Sequence, residues 1–395
     1  MPSTPMTPVA LLLAGCLAAG WGASLDEAGM EVPQLIAAHG YPVETHRVVS
    51  EDGHVLVLHR IPARSPSSRP PVLLQHGILL SSAVFVDMGP RRSLGYALSD
   101  EGYDVWLANA RGNYYSKHHV NLTESDASFW DFSWHEMGER DVPAVLDHVL
   151  ARTGAADVLH VCHSMGAAML LAALHSRPQY NSKVRAVFAL GPAAYMRHGR
   201  SPVSSLLFVS AETYKDALLA ADVRELLPRQ PFWRRLGSVM CSEAAPSPRL
   251  LCAAALGLMF GSNTPNLNMS RLPVNLGHFP AGTSRRAAAH FGQAILSGSF
   301  RHYDYGAEEN AVRYGAQEPP RYDLGRVRVP VFLYCGERDL VCDCKDVKRL
   351  FNELTNAKPK ELIKISKYTH MDFLWGIDAR KKLFEPMIRK METFL

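Results

Sequence analysis

The 395-residue chain is 47% hydrophobic and 20% charged, a globular composition that excludes disordered and fibrous classes. Its length leaves room for an α/β core with a large insertion. A formal net charge of +4, with Lys and Arg scattered along the chain, gives no basic face for nucleic acid. The 17 His carry an expectation of their own: below about pH 6 their protonation makes the protein much more basic.

Val9 to Ala19 is an apolar run followed by Gly20, Gly22 and Ala23. It is too short to cross a bilayer and reads as a secretory signal over residues 1–23, although no Lys or Arg precedes it. No other stretch reaches the roughly 18 apolar residues that a membrane span needs. Secretory entry gives meaning to two N-glycosylation sequons, at Asn121 and Asn268. It also leaves six Cys once Cys16 is removed. Cys241 and Cys252 share one helical, loop-rich region and are disulfide candidates. Cys162 and Cys335 sit at strand ends and read as buried thiols. Cys342-Asp343-Cys344 lacks a partner pair at zinc spacing, so no metal is expected there.

A helix is predicted over residues 33–39, with Pro33 in the first turn. Strands follow at 44–49 and 55–61, joined by the hairpin signal Glu51-Asp52-Gly53. After a polar loop at 64–71, a buried-type strand at 71–75 runs into His76-Gly77-Ile78. A glycine there lets the backbone come close to a bound carbonyl, and Ile78 is the residue whose N–H is placed to meet its oxygen. A helix at 95–100 and a strand at 103–108 come next. The strand ends in the polar loop 109–113, then an aromatic-rich stretch at 129–137 leads to an amphipathic helix at 141–153.

The stretch Val158-Leu159-His160-Val161-Cys162-His163-Ser164-Met165-Gly166 is a strand, a sharp turn and the start of a helix, with a serine at the bend. Such an elbow lifts the hydroxyl out of the sheet and sets the next N–H, that of Met165, beside it. The usual pattern is G-x-S-x-G, and Cys162 stands at its first glycine. His163 is expected to point away from the site. A further strand at 184–191 completes an alternation of strands and helices, which means a mostly parallel sheet covered on both faces.

Residues 195–300 break that rhythm. Helix-like runs at 204–219 and 249–260, Phe232-Trp233 and the apolar run 250–259 read as a cap over the serine. The core resumes with a strand at 329–335, then Asp339, the carboxylate placed to orient a histidine. Asp343 and Asp346 are rivals by reach but read as the start of a helix at 344–354. The last strand, 361–365, runs into His370, placed to be the general base. Asp372 reads as structural. The order Ser164, Asp339, His370, each just beyond a strand, is that of α/β-hydrolases.

Several segments carry a more specific likeness. They are Gly40-Tyr41-Pro42, Leu74-Gln75-His76-Gly77, Gly102-Tyr103-Asp104-Val105-Trp106-Leu107, Ala110-Arg111-Gly112-Asn113, Phe129-Trp130-Asp131-Phe132-Ser133, Asn268-Met269-Ser270-Arg271 and Pro280-Ala281-Gly282-Thr283-Ser284. In these the chain resembles the acid lipase family of α/β-hydrolases, the gastric and lysosomal acid lipases and their insect relatives. The family's elbow is Gly-His-Ser-Gln-Gly, so Cys162 and Met165 are departures.

The resemblance implies a core at 24–194 and 301–395, a cap at 195–300 that moves in part to admit lipid, and a Cys241–Cys252 cap disulfide. It also implies a triad at Ser164, Asp339 and His370. The expected activity is serine ester hydrolysis of neutral lipids such as triacylglycerols or sterol esters, at a lipid–water interface. No cofactor is expected, and the location is secreted or lysosomal. His content and resemblance together place activity on the acidic side of neutral. A soluble-ester carboxylesterase, an acyl transferase and an inactive lipid-binding relative are the alternatives.

Overall fold

The computed structural model describes residues 26–64, 69–242 and 246–395, so the signal segment read over residues 1–23 lies outside the described residues. The central sheet is built from β1 (Glu44–Val49), β2 (His54–Ile61), β3 (Val72–Gln75), β4 (Val105–Ala108), β5 (Val158–His163), β6 (Val184–Leu190), β7 (Val331–Gly336) and β8 (Lys360–Ile365). Their spatial order is β1-β2-β4-β3-β5-β6-β7-β8, with a two-residue strand, His118–His119, also paired to β2. β2 runs antiparallel to both β1 and β4, and every pairing from β4 to β8 is parallel. This is the α/β-hydrolase sheet expected from the sequence.

The middle strands are buried end to end, as parallel strands covered on both faces must be. Side-chain alternation sorts them into two cores. Leu73 and Trp106 face one, with the helices Val142–Thr153 and Met165–Ser176. Val72, Leu74, Val105 and Leu107 face the other, with Leu94–Asp100 and Glu385–Glu392. Between β6 and β7 the chain forms the helices Pro202–Thr213, Lys215–Ala220, Pro231–Met240, Pro246–Phe260, Leu272–His278, Arg285–Ser297 and Ala307–Tyr314. The single helix expected over 204–219 is two: it starts earlier, where Pro202 occupies the first turn and Ser201 accepts from the Ser204 N–H, and it breaks at Tyr214.

Cys241 and Cys252 form a disulfide between consecutive cap helices, with Cα atoms 5.8 Å apart. Cys335 is not a free thiol as expected. It is bonded to Cys344, because the loop after β7 returns the start of helix Cys344–Glu353 to the strand end, bringing the Cα atoms to 5.3 Å. Cys162 and Cys342 are free and buried.

Arg111, in the loop after β4, is fully enclosed and joins three distant segments. Its guanidinium donates to Asp141 at the start of helix Val142–Thr153 and to Asp52 in the β1–β2 turn, and Arg140 also reaches Asp52. Burial pushes the Asp141 carboxyl upward against the pull of Arg111. Removing Asp141 leaves the enclosed guanidinium with Asp52 as its remaining carboxylate and takes the acceptor from its Nε, a costly way to break a buried network. Asp141→Ala is therefore expected to lower the unfolding free energy by about 3–5 kcal/mol. Urea denaturation measures this, and a change below about 1 kcal/mol, the size of an exposed pair, contradicts it.

Candidate active site

Ser164 follows β5 at φ +54°, ψ −118°, a backbone conformation that few non-glycine residues adopt. Its N–H donates to the Leu190 carbonyl at the end of β6 (3.0 Å), and its own carbonyl accepts from Ala193 (3.2 Å). The turn leaves no room at two neighbouring glycines. A Cβ on Gly166 would lie 2.7 Å from the Gln75 carbonyl oxygen, and one on Gly77 would lie 2.8 Å from Ser164 Cβ. The first glycine position of the pattern is not tight. Cys162 is buried within β5, with Sγ 3.9 Å from the Phe188 carbonyl oxygen, so its side chain belongs to the core.

Asp339 and His370 emerge side by side because β7 and β8 pair in register, Gly336 opposite Ile365. His370 Nδ1 donates to Asp339 Oδ2 at 2.8 Å. The second oxygen, Oδ1, accepts from the Val341 and Cys342 N–H groups, each at 2.8 Å. The carboxylate is completely shielded from solvent and fully engaged. Its rivals are occupied elsewhere: Asp343 caps the helix start by accepting from Lys345 N–H, and Asp346 is bonded to His198.

Ser164 and His370 open into one cavity of about 680 Å³. Ile78 and Leu79 line it from the core, and Leu207, Tyr214, Leu218 and Met259 line it from the cap helices. Met165 begins its helix, so its N–H has no intrahelical acceptor. The other expected oxyanion donor is oriented by a contact that the sequence reading missed. His76 Nε2 accepts from the Ala110 N–H, which leaves Nδ1 as the donor to the Gly77 carbonyl at 2.7 Å. Gly77 C=O and Ile78 N–H belong to one planar peptide, so holding the oxygen aims the N–H the opposite way. Ala281 N–H donates to the Leu79 carbonyl and braces the same loop. That brace lies within Pro280-Ala281-Gly282, a motif noted in the sequence without a role.

His163 departs from expectation. It turns under the histidine loop, where its Nε2 donates to the His370 carbonyl (3.0 Å), and it lines the cavity. A carbonyl at that loop needed a donor, and the last residue of β5 is in reach. Asp339, Cys342 and His370 could offer a metal one ligand atom each, all within 4.8 Å of one another. Two of those atoms already hydrogen-bond each other, and burial holds the Cys342 thiol protonated. Of the two sequons, Asn121 is exposed, while Asn268 is buried with its Nδ2 enclosed.

The sequence matches a partial alpha/beta-hydrolase lipase region over residues 32–89 and the alpha/beta hydrolase fold over residues 70–228. It is 40% identical to Lipase 1 of Drosophila melanogaster over 92% of this chain and 80% of that protein. It is 35% identical to the gastric triacylglycerol lipase of Rattus norvegicus over 94% of this chain and 93% of that one. The chain belongs to this family of α/β-hydrolase lipases. It is a carboxylic ester hydrolase. Among solved structures, a soluble variant of monoglyceride lipase from Saccharomyces cerevisiae shares the fold, with a TM-score of 0.54 and 15% identity over 90% of this chain and 98% of that one.

The expectation that the lipase's histidines charge together below pH 6 does not survive the structure. Burial lowers ten of the 17, among them His160 to about 3 and His76 to about 4. A depressed folded value means that the unfolded chain binds more protons as pH falls through about 6.5, so stability is lost with acidification. Asp87, raised by burial to about 7, and Asp141, Asp372, Glu212 and Glu225, also raised, act in the opposite sense. The histidines outnumber them two to one. The melting temperature is expected to fall by roughly 5–10 °C between pH 7 and pH 4.5, read by scanning calorimetry. A rising or flat Tm refutes this balance.

Two substitutions test the elbow. Gly77→Ala pushes against the serine and is expected to lower kcat about 100-fold, as an ångström of misplacement can. Cys162→Gly is expected to keep kcat near wild type and to cost about 1 kcal/mol of stability through lost packing and added backbone freedom. Ester turnover by active-site-titrated enzyme, together with urea denaturation, reads both; the reverse ranking would show the tight position to be 162.

Proposed function

We propose that this lipase hydrolyses acyl esters of neutral lipids, triacylglycerols or sterol esters, through an acyl-enzyme on Ser164. His370 takes the Ser164 proton as Oγ attacks the ester carbonyl, then delivers it to the departing alcohol. Asp339 fixes the imidazole's tautomer and stabilises the imidazolium that forms. The Ile78 and Met165 N–H groups receive the oxyanion. Water, deprotonated by the same histidine, then releases the fatty acid and restores the serine. No step calls for a metal or a cofactor.

The observation that carries the lipid assignment is the apolar cavity above Ser164. Its walls are aliphatic and aromatic, and its volume is in the range that encloses a ligand. Outside it, the cap (residues 195–300) exposes Leu206, Leu219, Leu250, Leu251 and Leu258 to solvent. A surface this apolar is suited to a lipid–water interface. Leu206 and Tyr214 both line the cavity and remain exposed, which puts its mouth on that apolar side. The relatives' names, gastric triacylglycerol lipase among them, support the same substrate class. The two disulfides, the 1–23 segment and the exposed sequon at Asn121 support a secretory route, and among the described residues no helix is long and apolar enough to cross a membrane.

The test is hydrolysis of emulsified long-chain triacylglycerol at about pH 5 and pH 8, with wild type beside Ser164→Ala. Ser164→Ala is expected to reduce the rate by at least about 10⁴-fold. Wild type that prefers a dispersed short-chain ester and leaves the emulsion untouched would instead be a soluble carboxylesterase. Folded wild type that neither turns over any ester nor takes up a fluorophosphonate would be a lipid-binding relative.

A further inference from the structure

Past the end of the cap helix Pro246–Phe260, the chain lies across both loops that carry the acid and the base. The Phe260 carbonyl accepts from His370 N–H at 3.0 Å and from Leu340 N–H at 3.4 Å. Gly261, at φ +108°, is wedged between the loops, since a Cβ there would meet the Arg338 carbonyl oxygen at 2.1 Å and Thr369 Cβ at 3.2 Å. Arg338 Nη1 donates to the Ser262 carbonyl.

The carboxylate of Asp372 holds the other end of this wedge. Its Oδ2 accepts from the Thr369 N–H (2.8 Å) and from Asn263 Nδ2 (3.0 Å), and its Oδ1 accepts from Asn266 Nδ2 (3.1 Å). Asn266 passes the connection on: its side-chain oxygen accepts from Asp378 N–H and its carbonyl from Ile377 N–H. Thr369 directly precedes His370. One buried carboxylate thus grips the peptide N–H next to the base and both asparagines of the cap's exit.

We propose that Asp372 is a positioning residue, fixing the reach of His370 by locking its loop to the segment Phe260–Asn266. The proposal rests on the assignment of His370 as general base. A loop held at one end by β8 and otherwise by a short helix has freedom to drift, and a drift of about 1 Å at a base costs about 100-fold in rate. A carboxylate suits the task because three donors converge on it, more than an amide oxygen with one N–H beside it can serve.

The test is Asp372→Asn, assayed for kcat and KM per active site titrated with a fluorophosphonate, so that unfolded molecules drop out. The new amide sets an N–H against the Asn266 donor. The expected result is a kcat about 10- to 100-fold lower with little change in KM. Adding Asn266→Asp restores a donor–acceptor pair, keeps an oxygen for the Asp378 N–H, and is expected to recover most of kcat. Should Asp372→Asn not fold, Asn263→Ala removes one of the two bonds to Oδ2 and is expected to lower kcat in the same way, more mildly. A labelled variant with unaltered kcat and only a lowered melting temperature overturns the proposal, and so does a swap that restores melting temperature without kcat. Wild type that takes no probe overturns the hydrolase reading and this proposal with it; a labelled wild type beside an unaffected Asp372→Asn overturns this proposal alone.

Discussion

A single residue in a disfavoured backbone conformation governs the geometry of this protein. An L-residue on the left-handed side of the map costs about 1–2 kcal/mol, and Ser164 stays there because its neighbours allow nothing else. β5 lies between β3 and β6, so the turn at its end is bounded by both. On one side Leu190 and Ala193 fix the serine's N–H and C=O. On the other, Gly77 and Gly166 let two backbones approach to distances at which a Cβ would collide. What the sheet gains from this is a hydroxyl raised above its carboxyl edge, next to the first free N–H of a helix.

The partners of that serine follow from strand register. Parallel strands deliver their loops to the same edge, and the alignment of β7 with β8 sets the Asp339 loop beside the His370 loop. The Asp339 carboxylate is then immobilised by two backbone N–H groups, and the His370 N–H by the Phe260 carbonyl. The Gly77–Ile78 loop is arranged in the same manner, with a neutral histidine holding the carbonyl end of a peptide so that its N–H end is turned the opposite way. Burial keeps His76 uncharged, and the Ala110 N–H, by occupying Nε2, leaves Nδ1 as the nitrogen that donates.

Much of this was legible in the sequence because it depends on local pattern. Short apolar runs ending in polar turns gave all eight strands within two residues at either end, and Ser164, Asp339 and His370 stood just past three of them in a recognisable order. β4 and β7 were each begun two residues early, because Tyr103 and Val329 are apolar residues just ahead of their strands. The features that escaped depend on three-dimensional return of the chain. Cys335 and Cys344 are nine residues apart, and only the path of the loop between them shows that they meet. Nothing local distinguishes a buried, neutral histidine from a surface one, so the charge expected from His76, His160 or His290 was wrong in kind. His163 was misplaced because the positive φ of the next residue, and not strand alternation alone, decides what its ring meets.

The cap explains why so apolar a cover sits on so polar a reaction. N–H groups aimed at a developing oxyanion are worth more where water is excluded and the dielectric is low. A cavity walled by leucines supplies that environment, but its cover then exposes apolar surface on the outside, a liability in water alone. The liability is tolerable if the outer surface meets lipid. The cap is also held at its base: Arg271 pairs with Glu27, Arg229 with Glu31, and the Cys241–Cys252 bridge joins two of its helices. Leu206 and Leu219 stand on the helices Pro202–Thr213 and Lys215–Ala220, while Leu250, Leu251 and Leu258 stand on the helix that carries Cys252 and ends at Phe260. One helix thus carries apolar surface on its outside and, at its last residue, the carbonyl that accepts from His370 N–H, so what meets the outer face of this cover is tied by a single rigid element to the loop beside Ser164.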